Sequence, residues 1–439
     1  MFAFPLKPAL VMLTFLGLLA AVNRYSPDLR GLNRATINAV MEFAPEHGVA
    51  VEGANSPVLA GAKLEDPAGN LDHFYEALQR TERGESVAVT RIVHYGDSPT
   101  TADLISGDVR AMLQQRFGDA GHGFTLPAKP WAWYEHRDVG LRGAGWEVYP
   151  ASQADSRDGM FGLGGVSLEC NGDCSSRIAL KNPNHTQVEV WFLEQPGGGT
   201  FTVLAEGVPI GSATTNASTK AAGFARFTLP AGTRVVELQG KGKVRMFGVA
   251  LDRPGPGVSY DSLGLNGAHV ALLSHVFDEK HWAMELQHRS PDLLILNYGT
   301  NESGFTSFVS GTYERDLREV VRRLRRALPH TSLLLMSPMD RAERRDGEIT
   351  TLATIPKIVS IQQRVARDTG CAFFNTFQAM GGSGTMARWY AAQPRLISAD
   401  FIHPTPGGAR LIGNLLYQTI CDGFTKYKLR RMRERYARR

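Results

Sequence analysis

Cysteine is scarce, at four residues in 439. The chain has no pair of Cys-x-x-Cys elements and no His-Glu-x-x-His segment, so the usual zinc spacings are missing. No Gly-x-y period runs through the 46 glycines and 23 prolines, which excludes a collagen-like chain. Internal repeats and low-complexity tracts are absent as well. A one-signed charge is missing from most of the chain. The formal charge is +5, but Lys426 to Arg439 carry eight Lys/Arg against one Glu, which leaves the preceding 425 residues at −2. The basic balance therefore describes a tail, and no nucleic-acid groove is implied. The tail reads as a solvated helix end or as a patch adhering to an anionic membrane or wall polymer. What remains is ordinary: 43% hydrophobic and 21% charged residues, which exclude whole-chain disorder and suffice for more than one domain.

Phe2 to Val22 is apolar but for Lys7, with an unbroken stretch from Pro8 to Val22 that Arg24 ends. That stretch is short for a span of about 20 residues, and a positive flank precedes it. The spacing predicts an export signal over 1–25, cleaved or retained as an inner-membrane anchor. The expected location is periplasm or cell envelope, with membrane association through this segment. Residues 26–85 read as a spacer with a short amphipathic helix near Leu71–Gln79. Cys170 and Cys174 lie in a Cys-Asn-Gly-Asp-Cys turn that a disulfide can bridge, whereas Cys371 and Cys421 read as buried thiols.

From Val87 onward, apolar strands alternate with amphipathic helices. Strands are expected at Val87–Tyr95, Pro291–Tyr298, Ser332–Ser337 and Ala372–Phe377. Helices are expected at Thr312–Leu328, Ile355–Asp368 and 406–423. This alternation predicts an α/β fold with a parallel sheet and helices on both faces. Residues 140–253 differ. Short alternating runs at Gln187–Leu193, Gly199–Leu204, Phe224–Leu229, Arg234–Gln239 and Lys243–Leu251 predict an inserted β-sandwich. The α/β domain is thus expected at 86–139 and 254–425, with the basic tail at 426–439.

Four short segments can carry chemistry. Tyr95-Gly96-Asp97-Ser98-Pro99 sits where a strand gives way to a helix, a place that favours negative charge. Ser98 there is a nucleophile or a simple helix cap. Pro99 has no N–H, so an oxyanion hole must draw on the N–H of Ser98 itself and on donors elsewhere. Ser262 to Ala268 holds Gly264 and Gly267, a turn or a close backbone approach to a ligand. Asn297-Tyr298-Gly299-Thr300-Asn301-Glu302 ends an apolar strand, and the Asn301 amide can donate to a developing oxyanion or cap a turn. Asp400-Phe401-Ile402-His403 places a carboxylate three residues before an imidazole, a spacing that lets the carboxylate fix the ring's tautomer.

In this order, the four segments resemble the SGNH/GDSL hydrolase family. The resemblance spans about 86–135 and 255–425. It implies a flavodoxin-like sheet and a serine esterase with Ser98, Asp400 and His403 as catalytic residues. Its oxyanion hole would be formed by Ser98, Gly267 and Asn301, and no metal or cofactor is implied. Two departures are Pro99 after the serine and Glu302 after Asn301. Within the family the chain is similar to exported acetylesterases of bacterial wall or surface polysaccharides, such as peptidoglycan O-acetylesterases. The Arg116–Phe124 stretch and the β insertion support that likeness, and in such relatives the insertion resembles a carbohydrate-binding module. The implied partner is an O-acetylated polysaccharide. Trp131, Trp133 and Tyr134 are candidates for stacking on sugar rings, or form a domain-interface core. A polysaccharide O-acetyltransferase with the same triad and a non-catalytic polysaccharide-binding envelope protein are the alternatives.

Overall fold

A computed structural model describes residues 63–153 and 157–437. The expected export segment and residues 26–62 of the expected spacer lie outside the described residues. Among those described, no helix is long and apolar enough to cross a membrane.

Six strands form the main sheet: β1 (Leu64–Glu65), β2 (Val89–Gly96), β3 (Gly257–Gly264), β4 (Leu293–Asn297), β5 (Ser332–Met336) and β6 (Ala372–Phe374). Their order is β1-β6-β5-β4-β2-β3. β2 to β6 are parallel, and β1 joins the β6 edge antiparallel. Leaving β1 aside, this is the flavodoxin-like order, which reverses direction at β2. All five residues of β4 and of β5 are buried, as expected of strands covered on both faces.

Helices cover both faces. On one lie α1 (Asp72–Glu82), α3 (Ile105–Phe117) and α7 (Pro406–Ala437), packed through Phe74, Leu78, Val109, Leu113, Ile412 and Phe424 onto Ile92, Ile295 and Leu334. On the other lie α4 (Glu279–Arg289), α5 (Tyr313–Ala327) and α6 (Thr354–Thr369), packed through Leu286, Leu317, Leu324, Ile358 and Val365 onto Val93, Leu294 and Leu296. The short α2 (Ser98–Thr101) caps β2. In α5 the buried stripe is Leu317, Val320, Val321 and Leu324, and the opposite face is laced by Arg318–Glu314 and Arg323–Glu319 pairs.

The structure corrects two segment assignments. Residues 64–85 are part of the α/β body, because Leu71, Phe74, Tyr75 and Leu78 give α1 an apolar stripe that the sheet covers. The closing helix runs on to Ala437, and the first turn of the basic tail docks through buried Tyr427 and a Lys428–Glu82 pair.

Nine antiparallel strands lie between Gly121 and Asp252. This sheet begins at Gly121–Thr125, which pairs with the strand end at Val249–Asp252, and therefore starts before the expected boundary at 140. The runs at 234–239 and 243–251 are one strand, Val235–Asp252, and the nine strands form one hydrogen-bonded network in place of two separate sheets. Gly240 and Gly242, at the expected turn, instead let the long strand change partners. It pairs with Val166–Leu180 over most of its length, with Thr200–Ala205 early and with Gln187–Glu194 late. Cys170 and Cys174 form a disulfide inside the strand Val166–Leu180, and Cys371 and Cys421 are buried thiols.

One buried cation joins the two sheets. Arg289, the last residue of α4, is 4% exposed. Its guanidinium donates to Asp261 on β3 (2.6 and 2.7 Å) and to Asp252 at the end of the long antiparallel strand (2.8 Å). Asp261 in turn accepts from the Phe124 N–H at 2.7 Å.

Candidate active site

The register of the main sheet brings three loops together. Gly96 at the end of β2 lies between Gly264 of β3 and Asn297 of β4. The segments leaving this rim carry Ser98, Gly267 and Asn301. This is the carboxyl edge at the reversal of strand order, where open α/β sheets bind ligands. Gly264 has no room for a side chain, since an added Cβ would overlap the backbone of Thr100 and Thr101 in α2. That contact seats the nucleophile helix against the sheet. Gly267 holds φ +67°, in the left-handed region, with open space beside it.

Ser98, Asp400 and His403 meet although 305 positions separate the outer two. Ser98 Oγ and His403 Nε2 are 2.8 Å apart, and His403 Nδ1 and Asp400 Oδ2 are 2.6 Å apart. A carboxylate only accepts, so Nδ1 carries the proton and Nε2 accepts from the Ser98 hydroxyl. The other Asp400 oxygen accepts the N–H groups of Ile402 (2.9 Å) and His403 (3.0 Å). Burial pushes the Asp400 carboxyl up, but the His403 side chain and these N–H groups outweigh it and hold the carboxyl below its ordinary range. Phe401, between the pair, takes φ +59°, and its carbonyl accepts the Ala342 N–H at 3.1 Å. The His403 and Asp400 side chains are 42% and 44% exposed, so the site opens onto the surface.

The oxyanion candidates lie on the adjoining loops. Among the described residues, neither the Ser98 N–H nor the Gly267 N–H has a hydrogen-bond acceptor. Asn301 Nδ2 donates to the Ala268 carbonyl at 2.7 Å, so this amide ties its own turn to the loop of Gly267. Glu302, the unexpected residue after Asn301, is 1% exposed and accepts from Val270 N–H (2.8 Å) and Gly299 N–H (2.9 Å). It braces the same two loops from beneath. Desolvation pushes Glu302 up to about 7, and it pushes Asp97, buried beside Ser98, up to about 6.

The aromatic candidates separate. Tyr134 is 3% exposed, and its hydroxyl accepts from the Leu126 N–H at 3.1 Å, which makes it a core residue and removes it from the sugar-stacking set. Trp131 is partly buried against that core, whereas Trp133 is 61% exposed. With its amide oxygen turned toward them, Asn266 accepts from both indole N–H groups, at 3.3 Å for Trp131. The exposed Trp133 ring is thereby tied to the residue before Gly267. Sequence reading names Asp97 and Glu302 without giving either a role, and it misses Arg341. Arg341, after β5, donates from Nη1 to the Thr300 carbonyl (2.7 Å) and to Ser303 Oγ (3.2 Å), on the turn that carries Asn301. Among the described residues, no group of three or more His, Cys, Asp or Glu side chains is arranged to hold a metal ion.

Residues 231–411 match the GDSL-like Lipase/Acylhydrolase family. The matched stretch contains Gly267, Asn301, Asp400 and His403, while Ser98 precedes it. Among solved structures, a peptidoglycan O-acetylesterase is similar with a TM-score of 0.70 at 23% identity, over 81% of this chain and 96% of that one. At that identity the likeness is one of fold. An acetylxylan esterase from Geobacillus stearothermophilus (TM-score 0.29, 17% identity, 38% of this chain and 74% of that one) is a weaker match. So is a family two carbohydrate esterase from Clostridium thermocellum with cellohexaose (TM-score 0.25, 13% identity, 58% and 94%). No curated protein matches the chain. Residues 231–411 thus carry the GDSL-like lipase/acylhydrolase match within a body that shares the fold of that O-acetylesterase, and the match supports a carboxylic ester hydrolase.

Proposed function

We propose that the protein is a serine esterase that removes O-acetyl groups from a cell-envelope or extracellular polysaccharide through an acyl-serine intermediate. The observation that carries this reading is the unbroken hydrogen-bonded line from Ser98 Oγ through His403 to Asp400. His403 Nε2 takes the hydroxyl proton as Ser98 Oγ attacks the acetyl carbonyl. Charge then gathers on the carbonyl oxygen, where the N–H groups of Ser98 and Gly267 and the second amide hydrogen of Asn301 are its donors. Asp400 stabilises the imidazolium. His403 returns the proton to the departing sugar oxygen, and the acetyl–serine ester remains. Water, deprotonated by His403, releases acetate and restores Ser98.

The polymer part of the reading rests on three supports. The half-exposed acid–base pair leaves a long substrate room to pass. Trp133 presents an exposed ring tied to the oxyanion loop. The similar fold is that of a peptidoglycan O-acetylesterase. The apolar segment Phe2–Val22 supports an exported location.

The test is turnover of p-nitrophenyl acetate by wild type and Ser98→Ala, with mass spectrometry of acid-quenched wild type. The expected result is an acetyl adduct on Ser98 and loss of turnover in the folded variant. Retained turnover, or an adduct on another residue, would overturn the assignment. Acetate release from O-acetylated muropeptides, alginate, xylan and cellulose identifies the polymer.

A further inference from the structure

We infer that Arg341 is a substrate-binding residue that grips a carboxylate on the acetylated glycan, so that the esterase takes acidic polymers in preference to neutral ones. This inference rests on the polysaccharide reading proposed above and adds the charge of the substrate to it.

Arg341 lies where two halves of the site meet. Its neighbour Ala342 is clipped to Phe401, between Asp400 and His403, while its own Nη1 reaches Thr300 and Ser303 on either side of Asn301. One residue therefore spans from the acid–base loop to the oxyanion turn. An acetyl group held between Ser98 and Asn301 would leave its sugar ring beside this crossing.

The guanidinium is half-buried, and only Nη1 has protein acceptors. Among the described residues, Nε and Nη2 have none, and neither is a buried atom, so both open to solvent. Asp97, Asp400 and Glu343 sense its charge, yet among the described residues no carboxylate forms an ion pair with it. The well-buried arginines of the molecule differ. Arg110 holds Asp103, Arg245 holds Asp158, and Arg289 holds Asp252 and Asp261. A half-desolvated guanidinium with part of its fork unfilled, at the mouth of an esterase site, fits a carboxylate supplied by the substrate. That carboxylate belongs either to a uronate ring or to a lactyl or peptide substituent.

The experiment compares wild type, Arg341→Lys and Arg341→Met. The substrates are O-acetylated alginate oligosaccharides (ring carboxylate), O-acetylated muropeptides (substituent carboxylate) and acetylated xylo-oligosaccharides (neutral). Wild type should favour at least one acidic substrate. In Arg341→Met the acidic-to-neutral ratio of kcat/KM should drop about ten- to hundredfold, mainly through KM, as loss of a charged hydrogen-bonded pair implies. Arg341→Lys should lose less. The acidic substrate that suffers identifies the source of the carboxylate.

A ratio unchanged in both variants, with all substrates slowed together through kcat, would show that Arg341 only props the Asn301 turn, and would overturn the inference alone. A wild type that turns over p-nitrophenyl acetate but no glycan overturns the polysaccharide reading and this inference with it. If Arg341→Met does not fold, inhibition of wild type by deacetylated acidic oligosaccharides decides. Carboxyl-reduced versions should inhibit at least tenfold more weakly, and equal inhibition sinks the idea.

Discussion

Asn301 has two amide hydrogens, and the fold engages one of them with the Ala268 carbonyl. The other remains for the reaction. Asn301→Ala should therefore lower kcat by about 10²–10³ with little change in KM, measured on p-nitrophenyl acetate. A loss below threefold would mean that the backbone donors suffice. Beneath this amide sit Asp97 and Glu302, which desolvation raises to about 6 and about 7 from ordinary values of 3.8 and 4.5. Between those limits the folded chain binds more protons than the unfolded one. Their contribution to stability is complete below the ordinary values and is lost as pH rises through 6 and 7. Thermal midpoints from pH 4 to 8 should fall less in Glu302→Gln than in wild type, and parallel curves would remove Glu302 from this account. Ser98, Gly267, Asn301, Asp400 and His403 were legible as candidates because each stands where a strand ends and a loop begins. Asp97, Glu302 and Arg341 were not. Their importance comes from burial and from partners in other segments, and no local spacing encodes either.

Among elements, α2 rests closely on Gly264 of β3. A methyl group at Gly264 would press on the backbone of Thr100 and Thr101, which cannot yield as a flexible side chain can. Gly264→Ala should cost about 1–3 kcal/mol in urea unfolding and should also reduce kcat, because the displaced helix carries Ser98. A destabilised but fully active variant would show that the helix relaxes without moving the hydroxyl. The strands β2, β4 and β5 and the helix α5 could be read from the chain, since unbroken apolar runs and a 3.6-residue stripe have few other outcomes. The helix α1 looked like part of a spacer because its partners lie far along the chain. Its Phe74 N–H, for example, bonds Ser332 Oγ at 3.2 Å. The strand Val235–Asp252 read as two runs because Gly240-Lys241-Gly242 has the composition of a turn. Here the strand runs through the glycines and continues to pair in register.

For the whole molecule, the joint at Arg289 adds a shared charge to the apolar core that runs between the two sheets. Arg289→Met would leave Asp252 and Asp261 buried without their cation, and removal of one partner from such a cluster costs about 3–5 kcal/mol. Chemical denaturation followed by tryptophan fluorescence should show that loss. An unchanged midpoint would mean that the carboxyls take up protons without penalty. Because the cation is shared by a carboxylate from each sheet, neither sheet is electrically complete by itself. A chimera that moved residues 121–252 onto another hydrolase would strand a charge in oil unless a matching arginine waited on the receiving side. The parts that resemble detachable modules can therefore be inherited or engineered only as a coordinated pair.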